Sequence, residues 1–433
     1  MALDAVEIAN IAETLVPAAR KEWARVGFIQ KRIDGKLNRT WMPDNADLEY
    51  KDLLRKASTP WLTFVRDCIA QGCRIDSYSD IRVWREGWQA SGMDGRQGQV
   101  NREAIGLGYS FLAVLPAEGG GVTMRPMSSL KTFAEYADPW DEYPAVVLHL
   151  LSGSLSKMDD ARWMLVDEDA VHRFSGDPRR PRGLEVAPHG LGFTPIVMIS
   201  NEFALDGMPA SSVAAAIPVY QRIVDATFTL QMLQRYGAFP QKWMAGGELA
   251  VDANGQPLIR SSVDGLFHAS GENGESARFG TFASAELGQV VQALDAHIKH
   301  LAAVCQVPPH YLLGAIVNMS AEGISAAESG YFRNIADRQD SIGEGYELAM
   351  RTAAAILGYM DAADDENSQV HWADASVRSL AQIADAVVKL STVKAPLEML
   401  FALIPGWSKA DALDASASAY ARLAIEAPTV SPV

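Results

Sequence analysis

The chain has 433 residues, of which 48% are hydrophobic and 21% are charged. Because a hydrophobic core rarely grows beyond about 250–300 residues, this length predicts two or three domains, and the composition excludes a disordered chain. The formal net charge of −15 disfavours tight, generic binding of nucleic acid, since a negative surface repels phosphate unless a local basic patch intervenes.

The three cysteines, Cys68, Cys73 and Cys305, are an odd number in a long chain and offer no disulfide framework. Free thiols are typical of a reducing compartment. Cys68 and Cys73 lack a second Cys or His pair, so we expect no zinc site. No apolar run approaches the roughly 18 residues of a membrane span, and the first residues lack the basic start of a signal peptide. We therefore expect a soluble protein that is made inside the cell and carries no metal or cofactor.

The N-terminal part of the chain is predicted to be helical. Residues 1–40 show an amphipathic pattern, and residues 53–75 continue with helical spacing that places Trp61, Phe64 and Val65 in the core. Trp84 and Trp88 are four residues apart and so share one helical face. This spacing favours core packing over a platform on which bases stack.

From residue 109 to residue 199 the apolar runs become short and are bounded by turns, which is typical of a β-sheet. The glycine triplet at 119–121 leads into a predicted strand rather than a helix, so it predicts a hairpin tip instead of a phosphate-binding loop. The densest basic cluster spans residues 179–182. A solvated loop is the favoured interpretation of this cluster, and a contact with nucleic acid or an acidic partner is the alternative.

The middle of the chain has the order helix, β insertion, helix. Apolar residues from Val219 to Leu233 follow helical spacing along two ridges, which predicts neighbours on two sides, and the helix is predicted to end at Gly237. Residues 239–282 contain several turn dipeptides and predict a small β module. Helical spacing then returns from Leu287 and ends at the double proline 308–309.

A segment without strand or helix periodicity follows the double proline. Residues 312–324 contain two glycines and predict a mobile loop. Ser325 and Glu328 have the spacing of a capping box, so we expect the next helix to begin there. That helix is predicted to extend to about residue 357, with a break or bend near Gly343 and Gly345.

The sequence lacks three common catalytic motifs. It lacks a G-x-x-x-x-G-K-S/T loop for nucleotide hydrolysis, a G-x-S-x-G elbow and an H-E-x-x-H motif. The acidic residues at 361–366 adjoin each other and predict a linker rather than a catalytic pair. His297 and His300 share a helix face but have no third ligand at a convincing spacing, so we expect surface histidines and no metal.

This order of elements resembles the portal (connector) proteins of tailed bacteriophages. Residues 282–288, the helix after them and the turn at 305–314 are similar to the second stem helix of that family and its following turn. Upstream, Trp88 and the segments 92–95 and 103–114 are similar to the wing of the family. The likeness covers roughly residues 45–425 and rests on order and spacing.

The resemblance implies an α+β, portal-like fold that combines a mixed α/β wing, a two-helix stem with an inserted β clip, a long helix and a C-terminal helical crown. The implied boundaries are 1–204 for the wing, 205–237 for the first stem helix, 238–284 for the clip, 285–305 for the second stem helix, 306–325 for the tunnel loop, 326–365 for the long helix returning to the wing, and 366–433 for the crown.

The resemblance also implies the function: a virion protein, assembled in the host cytoplasm, that forms a ring of about twelve copies at one capsid vertex. Its expected partners are a terminase motor, a head-tail adaptor, capsid and scaffolding proteins, and double-stranded DNA that passes without sequence specificity. No membrane is expected.

Two groups of residues are expected to carry this function. The residues expected to face DNA in the tunnel loop are Val317, Asn318, Met319, Ser320, Ala321 and Glu322. The residues expected at the interface between subunits are Ile223, Leu230, Leu233, Leu294 and Ile298.

Two alternatives remain at this point. The first is another structural subunit of the virion, such as an adaptor, which would share the composition but lack the order of stem, insertion and stem. The second is a hydrolase that uses His371 and Asp374, which has only these residue types in its favour.

Overall fold

The structure is a computed structural model. It describes residues 3–36, 48–203, 205, 207–237, 242–245, 278–281, 287–314, 321–374, 380–401, 403–404, 412 and 415–419. The chain divides into two compact units, the first formed by residues 1–37, 60–217 and 302–433 and the second by residues 38–59 and 218–301. Within the described ranges, no helix is both long and apolar enough to cross a membrane.

The first unit begins with α1 (Ala5–Ile33), a single helix. Its start is a capping box: the Asp4 side chain accepts hydrogen bonds from the backbone N–H groups of Val6 and Glu7, and the Glu7 carboxylate accepts one from the Asp4 N–H. Trp23 then fixes the helix on the β part of the unit, because its Nε1 donates to the backbone oxygen of Thr132 at 3.0 Å.

The predicted helix over 53–75 is wrong, because the chain forms two helices there. α2 (Leu48–Ala57) ends before Pro60, and α3 (Trp61–Gly72) begins directly after it. Proline disfavours the helical conformation of the preceding residue, so this boundary follows from local sterics. Of the three residues predicted in the core, Val65 is buried, Trp61 is half-buried and Phe64 is 44% exposed.

Strand β1 (Ile75–Tyr78) leads into α4 (Ile81–Val83), which continues as a π-helical turn over Trp84–Gln89. Trp84 and Trp88 are both buried, and their rings stack with centroids 5.1 Å apart. The prediction that they pack in the core is confirmed. After this turn, α5 (Met93–Leu107) leads into the sheets.

A three-stranded antiparallel sheet has the order β3-β2-β9, with β2 (Tyr109–Pro116) in the centre between β3 (Val122–Met127) and β9 (Ile196–Ser200). The glycine triplet forms the tip between β2 and β3, as predicted. The N–H of Ala117 donates to the Gly121 carbonyl at 3.0 Å, and all three glycines have φ between 86° and 100°, a left-handed conformation that favours glycine.

The second sheet is an antiparallel meander in the order β4-β5-β6-β7-β8. Its strands are β4 (Thr132–Glu135), β5 (Val146–Ser154), β6 (Lys157–Val166), β7 (Ala170–Ser175) and β8 (Arg182–Pro188). The basic cluster runs from the turn after β7 to the first residue of β8. Arg179 pairs with Asp177 at 2.7 Å, and the Arg182 guanidinium donates to the Asp159 backbone oxygen at 2.8 Å. These local partners support the interpretation as a solvated loop.

The long helix α9 (Ala321–Leu357) begins four residues before the predicted cap at Ser325 and is unbroken at Gly343 and Gly345. The expected cap at Ser325 is therefore wrong and the helix is not broken at these glycines, while a bend there stays a prediction. A Cβ atom on Gly345 would lie 2.8 Å from the Met198 carbonyl oxygen in β9. Glycine at this position allows the helix backbone to approach the strand.

Short elements follow α9: α10 (Met360–Ala363), β12 (Val370–Trp372), which pairs antiparallel with β1, and the helices α11 (Leu380–Thr392) and α12 (Leu397–Phe401). The predicted acidic linker is partly helical, and the Asp361 carboxylate pairs with the Arg82 guanidinium at 2.7 Å.

The second unit contains α2, nearly all of α6 (Ile217–Gly237), a pair of antiparallel strands, and most of α7 (Leu287–Val304). The two strands are β10 (Lys242–Ala245) and β11 (Arg278–Thr281). In the order of the sequence, this strand pair lies between the two helices, as predicted. The rest of the predicted β module lies outside the described residues. Both ridges predicted for α6 have buried members: Val219, Ile223, Tyr220, Val224 and Phe228.

The close approach at Gly345 predicts the cost of adding a methyl group. We expect Gly345→Ala to lower the free energy of unfolding by about 2 kcal/mol, because the methyl group would force α9 away from β9. Gly330→Ala in the same helix is the matched control: nothing lies within 4 Å of the added Cβ, so the gain in helix propensity should raise stability by about 0.5–1 kcal/mol. Urea denaturation measures both, and equal stability of the two variants would contradict the packing argument.

Candidate functional site

The first part of the predicted tunnel loop, residues 306–325, contains a short helix that begins at the double proline. α8 (Pro309–Leu313) begins with Pro309, whose fixed φ suits the first turn of a helix. It ends at Gly314, which has a φ of 65° and whose N–H donates to the His310 carbonyl at 3.0 Å. Leu312 is buried and holds the helix on the first unit.

Glu328 connects this short helix to α9. One carboxylate oxygen, Oε1, accepts a hydrogen bond from the Tyr311 hydroxyl at 2.9 Å and lies 3.4 Å from His310 Nε2. The side chains of His310 and Glu328 are only 10% and 19% exposed. Hydrogen bonds to a charged acceptor are stronger than neutral ones, and partial burial limits competition from water. Helices α8 and α9 are therefore joined to each other through Glu328.

Tyrosines extend this contact towards α3. The rings of Tyr311 and Tyr331 meet edge to face with centroids 5.8 Å apart, and the Tyr331 hydroxyl donates to the Cys68 carbonyl at 2.6 Å. Burial and the Glu328 carboxylate raise the pKa of Tyr311 to about 12. Burial also raises the pKa of Tyr331. Both phenols thus keep their protons at neutral pH and act as donors. We call His310, Tyr311, Glu328 and Tyr331 the loop anchor.

The structure changes the extent of the predicted loop. Ala321 and Glu322 belong to the first turn of α9 rather than to a loop, and Leu312 and Leu313 belong to α8. Val317, Asn318, Met319 and Ser320 lie outside the described residues. Their role in facing DNA remains a prediction.

The predicted interface residues separate into two groups. Ile223 and Ile298 are buried within the single chain, with 0% and 5% of their surfaces exposed. Leu230, Leu233 and Leu294 are half-buried, so part of each side chain remains available to a neighbouring molecule. Because only the three leucines keep exposed surface in the single chain, we restrict the predicted interface between subunits to them.

The remaining candidates are the histidines that the sequence offered for a metal site or for catalysis. His297 and His300 have ring centroids 6.4 Å apart, and burial together with Arg222 and His300 lowers the pKa of His297. His371 is opposite Ser77 in the β1–β12 pair. In the described part of the chain, no three His, Cys, Asp or Glu side chains are grouped so that they could hold a metal ion.

The cysteines have raised pKa values. Burial is the main cause, and it raises the pKa of Cys68 to about 11 and those of Cys73 and Cys305 to about 12. The three thiols are free in the structure. Because the thiolate is the reactive form, they have little nucleophilic character at neutral pH.

Sequence reasoning assigned Glu328 to a capping box and so missed the loop anchor. The capping assignment fails because Ser325 lies inside α9, where its backbone is already helical. In the sequence, the adjacent residues His310 and Tyr311 were the feature that could have indicated the loop anchor. That signal becomes specific only when the two helices are placed side by side.

Comparison with known proteins gives a consistent result. The family described as "Phage portal protein, SPP1 Gp6-like" matches residues 73–421. The portal proteins of Mycobacterium phages L5 and D29 are each 32% identical to this chain over 213 residues, which cover 47% of this chain and 43% of each relative. The match therefore spans less than half the length of these curated relatives.

Similar solved structures come from a gene transfer agent (GTA) particle. A chain from the virion of the native particle has a TM-score of 0.48 and 15% identity, and the similarity covers 85% of this chain and 95% of that one. A chain from the neck of the native particle, computed with C12 symmetry, has a TM-score of 0.48 and 15% identity, with coverage of 84% and 94%.

The loop anchor predicts how loss of Glu328 affects local stability. We expect Glu328→Ala to increase amide hydrogen exchange at Tyr311 and Gly314 about fivefold, since one hydrogen bond contributes roughly 1 kcal/mol to local opening. Exchange in the middle of α9 should not change. Ser329→Ala, which removes only a hydroxyl bonded locally to the Ala326 carbonyl, is the control. Equal exchange in the two variants would show that Glu328 does not hold α8.

Proposed function

The chain belongs to the SPP1 Gp6-like phage portal protein family, which matches residues 73–421, and from this membership we propose that it forms a ring at one vertex of a capsid. Such a ring is the conduit through which DNA is packaged and ejected. The match to the family over most of the chain is the observation that carries the proposal. The protein acts as a structural component of the virion and not as an enzyme.

The second unit supports the placement of the stem and the clip. α6 and α7 flank the β10–β11 pair, the order expected of a stem with an inserted clip. We assign residues 205–237 and 285–305 to the stem and 238–284 to the clip. Residues 1–204 and 326–365 then form the wing, and residues 366–433 form the crown.

The half-buried leucines suit a repeated contact between copies. Leu230 and Leu233 lie on α6, and Leu294 lies on α7. In a closed ring each subunit uses one surface towards one neighbour and a different surface towards the next, so a stem side chain recurs at every interface. We propose a ring of about twelve copies held partly by these leucines.

The tunnel loop suits a sliding contact. Between Gly314 and α9, the chain contains no lysine or arginine. A gripping site would gain affinity from released counterions, roughly one unit of salt slope for each phosphate contacted. This loop lacks that contribution, so we propose that it contacts DNA sterically and without sequence preference. The proposed docking partners of the ring are a terminase motor, a head-tail adaptor, and capsid and scaffolding proteins.

Ring assembly can be tested at Leu230. Electron microscopy of the purified protein should show rings with a central hole, and Leu230→Asp should abolish them, because an unpaired charge buried at each interface costs several kcal/mol. Gln234→Asp on an exposed position of α6 adds the same charge and should leave rings intact. Circular dichroism confirms folding of the variants. Rings of normal stability with Leu230→Asp would exclude this face as the interface.

The tunnel loop can be tested in assembled particles. Removing residues 317–320, so that α9 is left complete, should preserve rings but impair DNA packaging or retention, because the steric contact is lost. Asn318→Gln, which changes neither the length nor the charge of the loop, should leave DNA filling normal. Measured DNA content that is normal in the deletion particles would rule out the tunnel-loop assignment while leaving the ring assignment standing.

A further inference from the structure

A polar cleft of about 490 Å³ opens in the first unit. It lies where the π-helical turn, α5 and β3 meet. Its lining residues are Ala90, Ser91, Arg96, Gln99, Thr123, Arg125 and Pro126. Pockets for drug-like ligands are mostly apolar, whereas this lining is dominated by hydrogen-bond donors, so the cleft suits a charged or strongly polar ligand.

Two arginines reach this cleft from different elements. Arg96 extends from α5, and its Nη1 donates to the Ser91 carbonyl at 3.0 Å. Arg125 lies two residues after Thr123 in β3, so both side chains project from the face opposite the buried Met124. The Met124 N–H donates to the Ser91 hydroxyl at 2.9 Å. This bond joins the two walls of the cleft.

The charge in this cleft is not neutralised by its own lining, since none of the lining residues is acidic. The positive field of Arg125 also extends beyond the cleft. Burial lowers the pKa of the neighbouring His149 to about 4, and Lys131 and Arg125 add to this effect. The chain as a whole has a net charge of −15. The lining of this cleft, in contrast, carries two arginines and no carboxylate and is therefore positively charged.

We propose that this cleft binds the phosphodiester backbone of a nucleic acid strand through Arg96 and Arg125. Guanidinium groups bind phosphate oxygens in a bidentate manner, and Gln99 and Thr123 add neutral donors beside them. The cleft is larger than one phosphate group, which leaves room for the sugar that joins successive phosphates. The inference goes beyond the proposed conduit, because it requires no ring and concerns a surface separate from the uncharged tunnel loop.

The test uses the full chain and a short fluorescent DNA duplex at several salt concentrations. Fluorescence anisotropy should show binding by the wild type. The double variant Arg96→Gln/Arg125→Gln should bind at least tenfold more weakly at low salt, and the slope of log affinity against log salt should fall by about two units, one for each lost phosphate contact. Inorganic phosphate is titrated separately as a second probe.

The matched control is Arg173→Gln/Arg333→Gln, which removes the same charge from exposed positions outside the cleft. Its affinity and salt slope should stay close to those of the wild type. Three results would overturn the proposal: no duplex binding by the wild type, equal losses in the two double variants, or an unchanged slope in the cleft variant. Arginine-dependent binding of inorganic phosphate without duplex binding would assign the cleft to a small phosphate ligand and overturn the nucleic acid assignment.

Discussion

The position of α9 depends on one close contact between backbones. The helix crosses β9 where Gly345 faces the Met198 carbonyl oxygen, and no side chain larger than hydrogen fits between them. The Ser341 hydroxyl donates to the Ser200 carbonyl at 3.2 Å along the same crossing. Because packed interiors have few empty spaces, this approach sets the distance between helix and sheet and therefore the position of every other residue on α9.

A buried polar network fixes the same helix from its other neighbours. The Tyr346 hydroxyl donates to Asn101 Oδ1 at 2.7 Å, and the Asn101 amide donates to the Cys73 carbonyl. On α5, Gln97 exchanges two hydrogen bonds with the backbone of Ile75. Buried polar groups are costly unless they are paired. These pairs therefore favour a single arrangement of α5, β1 and α9, which in turn holds the loop anchor at the N-terminal end of α9.

The distribution of charge distinguishes two kinds of contact with DNA in the proposed function. A conduit must let DNA slide, and a loop without lysine or arginine provides contact without attraction. The arginine cleft has the opposite character, because its cations are accessible and no acidic residue lines it. The net charge of −15 lowers general affinity for nucleic acid. In this proposal the arginine cleft attracts DNA, whereas the tunnel loop contacts it without attraction.

By itself, the sequence determined the features that depend on local patterns. The periodicity of α6 and α7, the hairpin tip at the glycine triplet, the core position of Trp84 and Trp88, and the family likeness follow from short-range spacing and element order. Tertiary structure decided the rest. The helix propensity of Gly345 is the same whether or not a strand packs against the helix. Only the neighbouring strand β9 makes this glycine necessary for a close contact. Glu328 and His310 are 18 positions apart, and Arg96 and Arg125 lie on different elements, so neither pairing has a local signature. Contacts of this kind form only when the fold brings distant segments together.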